Sequence, residues 1–327
     1  MKLVSRPWIV LFSAGALASC GDSASPYYEG GDFAFEFTHD GLDRRFIMHV
    51  PVGLVASKRA PLLLVFHGSA SDGAWTQTYT GIDEPADQAG FIVAYPNAAP
   101  VGSMTWAIDA NTAPDRDGID DLGFVERVIE LVVGEMNIDE DRIYAAGFSN
   151  GALFTHRVGC VLGKHFAGIA SVAGTMLTKV SGYCDPGGPM KGMFFHGTND
   201  GTMGWNGTDN EVFQMLSAEG TAARWAQLMS CASNPEVTAM PDVVADSTTV
   251  ERRTFTGCVS GGETVFYAVL GGGHVWPGSD MDLPLSGCTT RDIRASDLII
   301  EFFSEGTYTA PDPGPRATRE GCERPIR

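Results

Sequence analysis

Gly147-Phe148-Ser149-Asn150-Gly151 sets a serine between two glycines, directly after the apolar run 143–146 and before a helical pattern over 150–162. A chain that turns from strand to helix in so few residues crowds its own backbone, which accounts for the glycines. The same turn lifts Ser149 to a helix N-terminus, where free N–H groups and the helix dipole favour developing negative charge. The chemistry implied is nucleophilic attack on a carbonyl. A serine hydroxyl is a poor nucleophile until a base takes its proton, so a histidine oriented by a carboxylate is required, in the chain order serine, acid, histidine. Of the seven histidines, His39 and His49 precede the inner strands, His156 and His165 lie on or just after the serine's helix, and His67 and His196 each end a strand before a glycine. His274, in Gly271-Gly272-Gly273-His274-Val275-Trp276-Pro277-Gly278, follows the last core strand in a glycine-rich loop and is taken as the base. The acid is Asp200, in Phe195-His196-Gly197-Thr198-Asn199-Asp200, with Asp209 as the alternative. Two N–H donors must bind the oxyanion: Asn150, next after the nucleophile, and Ser69 in the loop Phe66-His67-Gly68-Ser69, with Gly68 or Ala70 as neighbouring possibilities.

These residues need strand ends to hold them. Continuous apolar runs at 61–66, 91–94, 143–146, 168–173, 193–195 and 264–270 read as strands buried on both faces. Between them, helical patterns run over 150–162, 211–229 and 292–303, and from Asp120 and Asp121, which cap a helix with Leu122, Val125, Val128, Ile129 and Val132 on its apolar face. Upstream, 33–38 and 45–50 alternate apolar and polar around His39-Asp40-Gly41-Leu42, an antiparallel hairpin at the sheet edge. The expectation is an α/β protein with a doubly wound, mostly parallel sheet, an antiparallel N-terminal edge, and ligands at the carboxyl ends of the strands.

The 327 residues include 40 acidic and 22 basic ones, a net charge of −18, which repels phosphate backbones and speaks against a nucleic-acid partner. Lys2 and Arg6 precede an apolar stretch over 8–18, too short to span a bilayer and of the length of an export signal. It ends Leu17-Ala18-Ser19-Cys20, which resembles a bacterial lipobox, so residues 1–19 are expected to be cleaved and Cys20 to carry lipid as the only membrane contact. A linker over 20–31 follows. The remaining six cysteines, Cys160, Cys184, Cys231, Cys258, Cys288 and Cys322, lack zinc-ligand spacing and suit an exported, disulfide-bonded protein. Proximity pairs 160 with 184, 231 with 258 and 288 with 322, the last stapling the Pro/Gly-rich tail 305–327. Asp109, Asp115, Asp117, Asp120 and Asp121 miss the calcium-loop spacing, and no metal is expected.

The set His67-Gly68, Asp120-Asp121-Leu122-Gly123-Phe124, Gly147 to Gly151, His196 to Asp200 and Gly272 to Gly278 resembles the secreted polyhydroxybutyrate depolymerase and feruloyl esterase group of α/β-hydrolases, over about 45–303. The resemblance implies a catalytic domain over 32–304 with an insertion at about 204–262. It also implies a serine carboxylic-ester hydrolase without cofactor, a triad on Ser149, Asp200 and His274, and a Cys231–Cys258 bridge. One departure is the turn Ser69-Ala70-Ser71-Asp72, less glycine-rich than the group's. About twenty residues follow the last helix, too few for a separate polymer-binding domain, so the expected substrate is a hydroxyalkanoate oligomer or a feruloylated or acetylated polysaccharide fragment. Trp205 and Trp276, and less so Trp106, are candidate cleft walls. Two other readings stand beside this one: a serine peptidase, and a surface binding lipoprotein on a catalytically silent scaffold.

Overall fold

The computed structural model describes residues 26–109, 118–210, 213–283, 285–304, 306 and 309. One ten-stranded sheet organises them. In chain order its strands are β1 (Gly31–His39), β2 (Leu42–Val50), β3 (Ala60–Phe66), β4 (Ile92–Pro96), β5 (Ile138–Phe148), β6 (Gly168–Val172), β7 (Lys191–Gly197), β10 (Glu236–Ala239), β11 (Thr249–Phe255) and β12 (Glu263–Leu270); β8 (Thr208–Asp209) and β9 (Gln214–Met215) form a separate ribbon. The spatial order is β1-β2-β4-β3-β5-β6-β7-β12-β11-β10. From β4 through β12 every neighbouring pair is parallel. The inner strands read as unbroken apolar runs because helices cover both of their faces, as the complete burial of β3, β4 and β6 records.

The N-terminal hairpin turns at Asp40 and Gly41, both with positive φ (48° and 77°), the two-residue turn whose twist suits a hairpin. An antiparallel edge also closes the opposite side, where β11 and β10 follow β12. That second edge lies within the expected insertion and was not foreseen. All four residues of β10 are exposed and β11 carries Glu251, Arg252 and Arg253, so neither shows the apolar run of a buried strand.

The helices are α1 (Gly73–Thr80), α2 (Asp83–Ala89), α3 (Asp121–Glu135), α4 (Asn150–Val161), α5 (Thr178–Tyr183), α6 (Ala218–Leu228) and α7 (Ala295–Phe303). Asp120 caps α3 through Gly123 N at 2.9 Å. The expected helix over 211–229 starts later, where Ser217 caps α6 through Gly220 N. Two apolar layers sandwich the sheet, one under α3, α4 and α6 and the other under α1, α2 and α7. Cys160–Cys184 ties the end of α4 to the segment after α5, and Cys231–Cys258 ties the segment after α6 to the β11–β12 loop. Cys288 is disulfide-bonded, while Cys322, like Cys20 and the leader, lies outside the described residues. Among the described residues no helix is long and apolar enough to cross a membrane.

Candidate active site

β5, β7 and β12 end on the same side of the sheet with only β6 intervening, so the loops after them meet. Ser149 follows β5 directly. Its backbone has a positive φ (φ 56°, ψ −119°) that L residues rarely adopt, the sharp turn that lets α4 begin at Asn150. A Cβ on Gly147 would stand 2.3 Å from the Gly151 carbonyl oxygen, and one on Gly151 would stand 2.2 Å from that of Phe66. The glycines are therefore demanded by close packing of the turn against its own helix and against β3.

Ser149, Asp200 and His274 converge. His274 Nδ1 lies 2.8 Å from Asp200 Oδ2, and His274 Nε2 lies 2.8 Å from Ser149 Oγ. With Nδ1–H given to the carboxylate, Nε2 is left to accept the hydroxyl hydrogen. The other carboxylate oxygen of Asp200 accepts the backbone N–H groups of Thr202 (2.8 Å) and Met203 (2.7 Å), so the acid is held by its own loop. The acid and base loops are tied to each other by Asn199 N to Gly272 O (2.8 Å) and Gly271 N to Thr198 Oγ1 (2.9 Å). Asp209 is elsewhere, exposed in β8 with Gln214 as its partner.

The Asn150 N–H opens α4 and has no helical carbonyl one turn back to take it. Gly68 packs against the serine, since a Cβ there would be 3.3 Å from Ser149 Cβ, and this places the Ser69 segment beside the nucleophile. The Ala70 N–H is spent on Ser103 O at 2.9 Å, which removes it from the neighbouring possibilities for the second donor. His67 is a structural residue: Nδ1–H donates to Gly68 O (2.6 Å), Nε2 accepts from Ala98 N (2.9 Å), and burial pulls it down to about 4, so it stays neutral. Burial likewise lowers His196, whose Nε2–H donates to Met203 O at 2.6 Å.

A cleft of about 560 Å³ opens over Ser149 and His274, and its apolar wall is Trp75, Met104, Phe148, Met203 and Leu283. The tryptophans expected there are not in it. Trp276 is 0% exposed, its indole N–H on Ser296 Oγ and its backbone N–H on Tyr79 Oη. Trp205 is half-buried among His196, Phe266 and Arg253, away from the lining. Trp106 is 0% exposed and stacked on Phe154. The tryptophan that does line the cleft, Trp75, was missed. The available signal was Asp72, which caps α1 through Trp75 N at 2.8 Å and so fixes where that helix enters the site.

Residues 45–183, which include Ser149, match the family model described as Esterase PHB depolymerase. The chain resembles the polyhydroxybutyrate depolymerase and feruloyl esterase group. Its mostly parallel sheet between helices is the α/β-hydrolase fold. Among curated proteins it is 26% identical to "Putative esterase NocK" of Nocardia uniformis subsp. tsuyamanensis, over 86% of this chain and 85% of that protein. It is 27% identical to Feruloyl esterase B of Piromyces equi over 71% of this chain, but spans only 42% of that protein. Among solved structures, the acetyl xylan esterase from Aspergillus awamori superposes with a TM-score of 0.53 at 14% identity, covering 74% of this chain and 94% of that one, a likeness of fold. The family match and the curated relatives support a carboxylic ester hydrolase.

Proposed function

We propose that this protein is an exported serine esterase that works through an acyl-enzyme and is held at a membrane by lipid on Cys20. The observation that carries the reading is the Asp200–His274–Ser149 chain of two 2.8 Å contacts, ending on a serine at the floor of an open cleft. Ser149 Oγ attacks the ester carbonyl while its proton passes to His274 Nε2, and Asp200 stabilises the imidazolium that forms. The Asn150 and Ser69 N–H groups receive the oxyanion. His274 then returns the proton to the departing alkoxide, leaving the acyl group on Ser149. Water, deprotonated by the same nitrogen, attacks the acyl-enzyme and releases the acid. No step calls for a metal or an organic cofactor.

The wall of Trp75, Met104, Met203 and Leu283 supports an apolar or aromatic acyl group, while Ser71, Asp72, Thr202 and Ser286 offer polar contacts to a sugar or hydroxyacid alcohol. A feruloylated or acetylated polysaccharide fragment and a short hydroxyalkanoate oligomer both meet that description. The test is hydrolysis of p-nitrophenyl acetate and butyrate, methyl ferulate, acetylated xylan and hydroxybutyrate oligomers, with Ser149→Ala alongside. Turnover abolished by the substitution supports the serine mechanism, and preference within the panel names the acyl class. Absence of turnover together with failure of a fluorophosphonate to label Ser149 overturns it. For the anchor, Cys20→Ser is expected to leave the membrane fraction, and its retention there would sink the lipid reading.

A further inference from the structure

The two oxyanion donors belong to different strands: Ser69 follows β3 and Asn150 follows β5. Preorganised donors act only when both stand about 2.7–3.1 Å from the oxygen that becomes charged, so two independent backbone segments must be held in mutual register to a few tenths of an ångström. Strand pairing fixes Phe66 opposite Gly147 and leaves the residues beyond to the loops.

Beyond the sheet, one residue from a third segment bonds to both. The Trp106 indole N–H donates to His67 O at 3.0 Å, two residues before Ser69, and the Trp106 backbone N–H donates to the Asn150 side-chain Oδ1 at 2.8 Å. The ring is 0% exposed, stacked on Phe154 at 4.8 Å and set against Phe66 and the His67 ring at 5.2 and 5.0 Å. The segment carrying it is itself locked. Ala107 N donates to Asp121 Oδ2 at 2.8 Å and Ala107 O accepts from Arg157 Nη1 at 2.5 Å, while Asp121 is paired with Arg44 at 2.6 Å, both fully buried.

We propose that Trp106 is the positioning residue of the oxyanion site, a clamp that sets the Ser69 and Asn150 N–H groups relative to each other. The proposal rests on the serine esterase reading above. It touches no substrate, so its effect appears where charge develops and not where substrate is held. Trp106→Phe keeps the ring packing and the backbone N–H but removes the bond to His67 O. Asn150→Ala keeps the oxyanion N–H but removes the bond from the Trp106 backbone.

The experiment measures kcat and KM for p-nitrophenyl acetate, inhibition by a trifluoromethyl ketone that forms a tetrahedral adduct, and thermal stability, in wild type, both variants and Phe154→Leu. The last thins the same packing and leaves both hydrogen bonds in place. Each clamp variant is expected to lose about 10- to 100-fold in kcat with KM within about twofold, and to bind the ketone more weakly by a similar factor. Phe154→Leu is expected to lose thermal stability and keep kcat. Wild-type kcat in both clamp variants overturns the proposal, as does a loss of kcat in Phe154→Leu equal to theirs. If Trp106→Phe does not fold, Asn150→Ala decides alone. An active, fluorophosphonate-labelled wild type with unaffected variants refutes the clamp only, whereas an inactive, unlabelled wild type removes the esterase reading and the clamp with it.

Discussion

Two of the histidine–carboxylate groupings among the described residues put the same side chains to different uses. In the cleft, His274 stands between one carboxylate and one hydroxyl, and the Asp200 side chain is 0% exposed. At the N-terminal edge, His49 of β2 stands among three carboxylates, with Asp32 of β1 2.7 Å from Nδ1, Asp87 of α2 2.9 Å from Nε2, and Asp83 of α2 3.6 Å away; the Asp32 and Asp87 side chains are 54% and 44% exposed. The residue types are alike and the consequences differ. In the edge cluster both ring nitrogens face carboxylate acceptors, an arrangement that favours the charged imidazole. Partial burial opposes that charge, but the bonds to Asp32 and Asp87 and the nearby Asp83 outweigh it and raise His49 above its ordinary value. In the cleft the second nitrogen faces a hydroxyl that needs a base. A free lone pair directed at a nucleophile, more than the company of carboxylates, separates a catalytic histidine from a fastening one.

The comparison breaks most sharply under alanine. His274→Ala is expected to lower kcat by about 10⁵-fold or more, and His49→Ala to leave it within about twofold, both by p-nitrophenyl ester turnover. A large loss in the second would place the edge cluster in the reaction. The carboxylates extend the contrast: Asp200→Asn is expected to cost about 10⁴-fold in kcat by spoiling the imidazole tautomer, whereas Asp87→Asn costs only stability. Smallest is the pH effect. Because His49 is raised in the folded state, its contribution is complete below the unfolded value near 6.5 and fades as pH climbs through the folded value. Thermal melts should therefore show His49→Ala about 1 kcal/mol below wild type in mild acid, the gap narrowing with alkali. His156 has the opposite sign: burial lowers it to about 3, so its contribution holds above 6.5 and is lost as pH falls toward 3. His156→Gln should flatten the acid slope by up to about 1.4 kcal/mol per pH unit.

The parts of this architecture legible in sequence were those with a strong local signal. Buried parallel strands are apolar throughout, so β3 to β7 and β12 stood out, and from the strand–turn–helix around Ser149 the other candidate residues were read by chain order and strand-end position. The short helices α1 and α2 offered too little apolar period to find, and α2 holds Pro85 within its first turn. With α1 went Trp75 and the cleft wall. Trp276 and Trp106 sit in loops at or near strand ends that also hold glycine, serine or threonine, which reads as a cleft wall. Their burial comes from distant partners, Ser296 and Tyr79 for one and Phe154 and His67 for the other, which no local window contains.

The parallel pairing of β7 with β12, Lys191 opposite Glu263 and Val269 opposite Gly197, bears on how the protein acquires its activity in time. That ladder joins strands with α6, β10 and β11 between them in the chain, a long loop to close before any contact rewards the closure. The acid and base stand just past the carboxyl ends of its two strands, at the same end of the ladder, so collapse and helix formation can be complete while the enzyme is still inert. Upon dilution from denaturant, the return of ester turnover should trail the return of helical circular dichroism, timing the zipping of one strand pair.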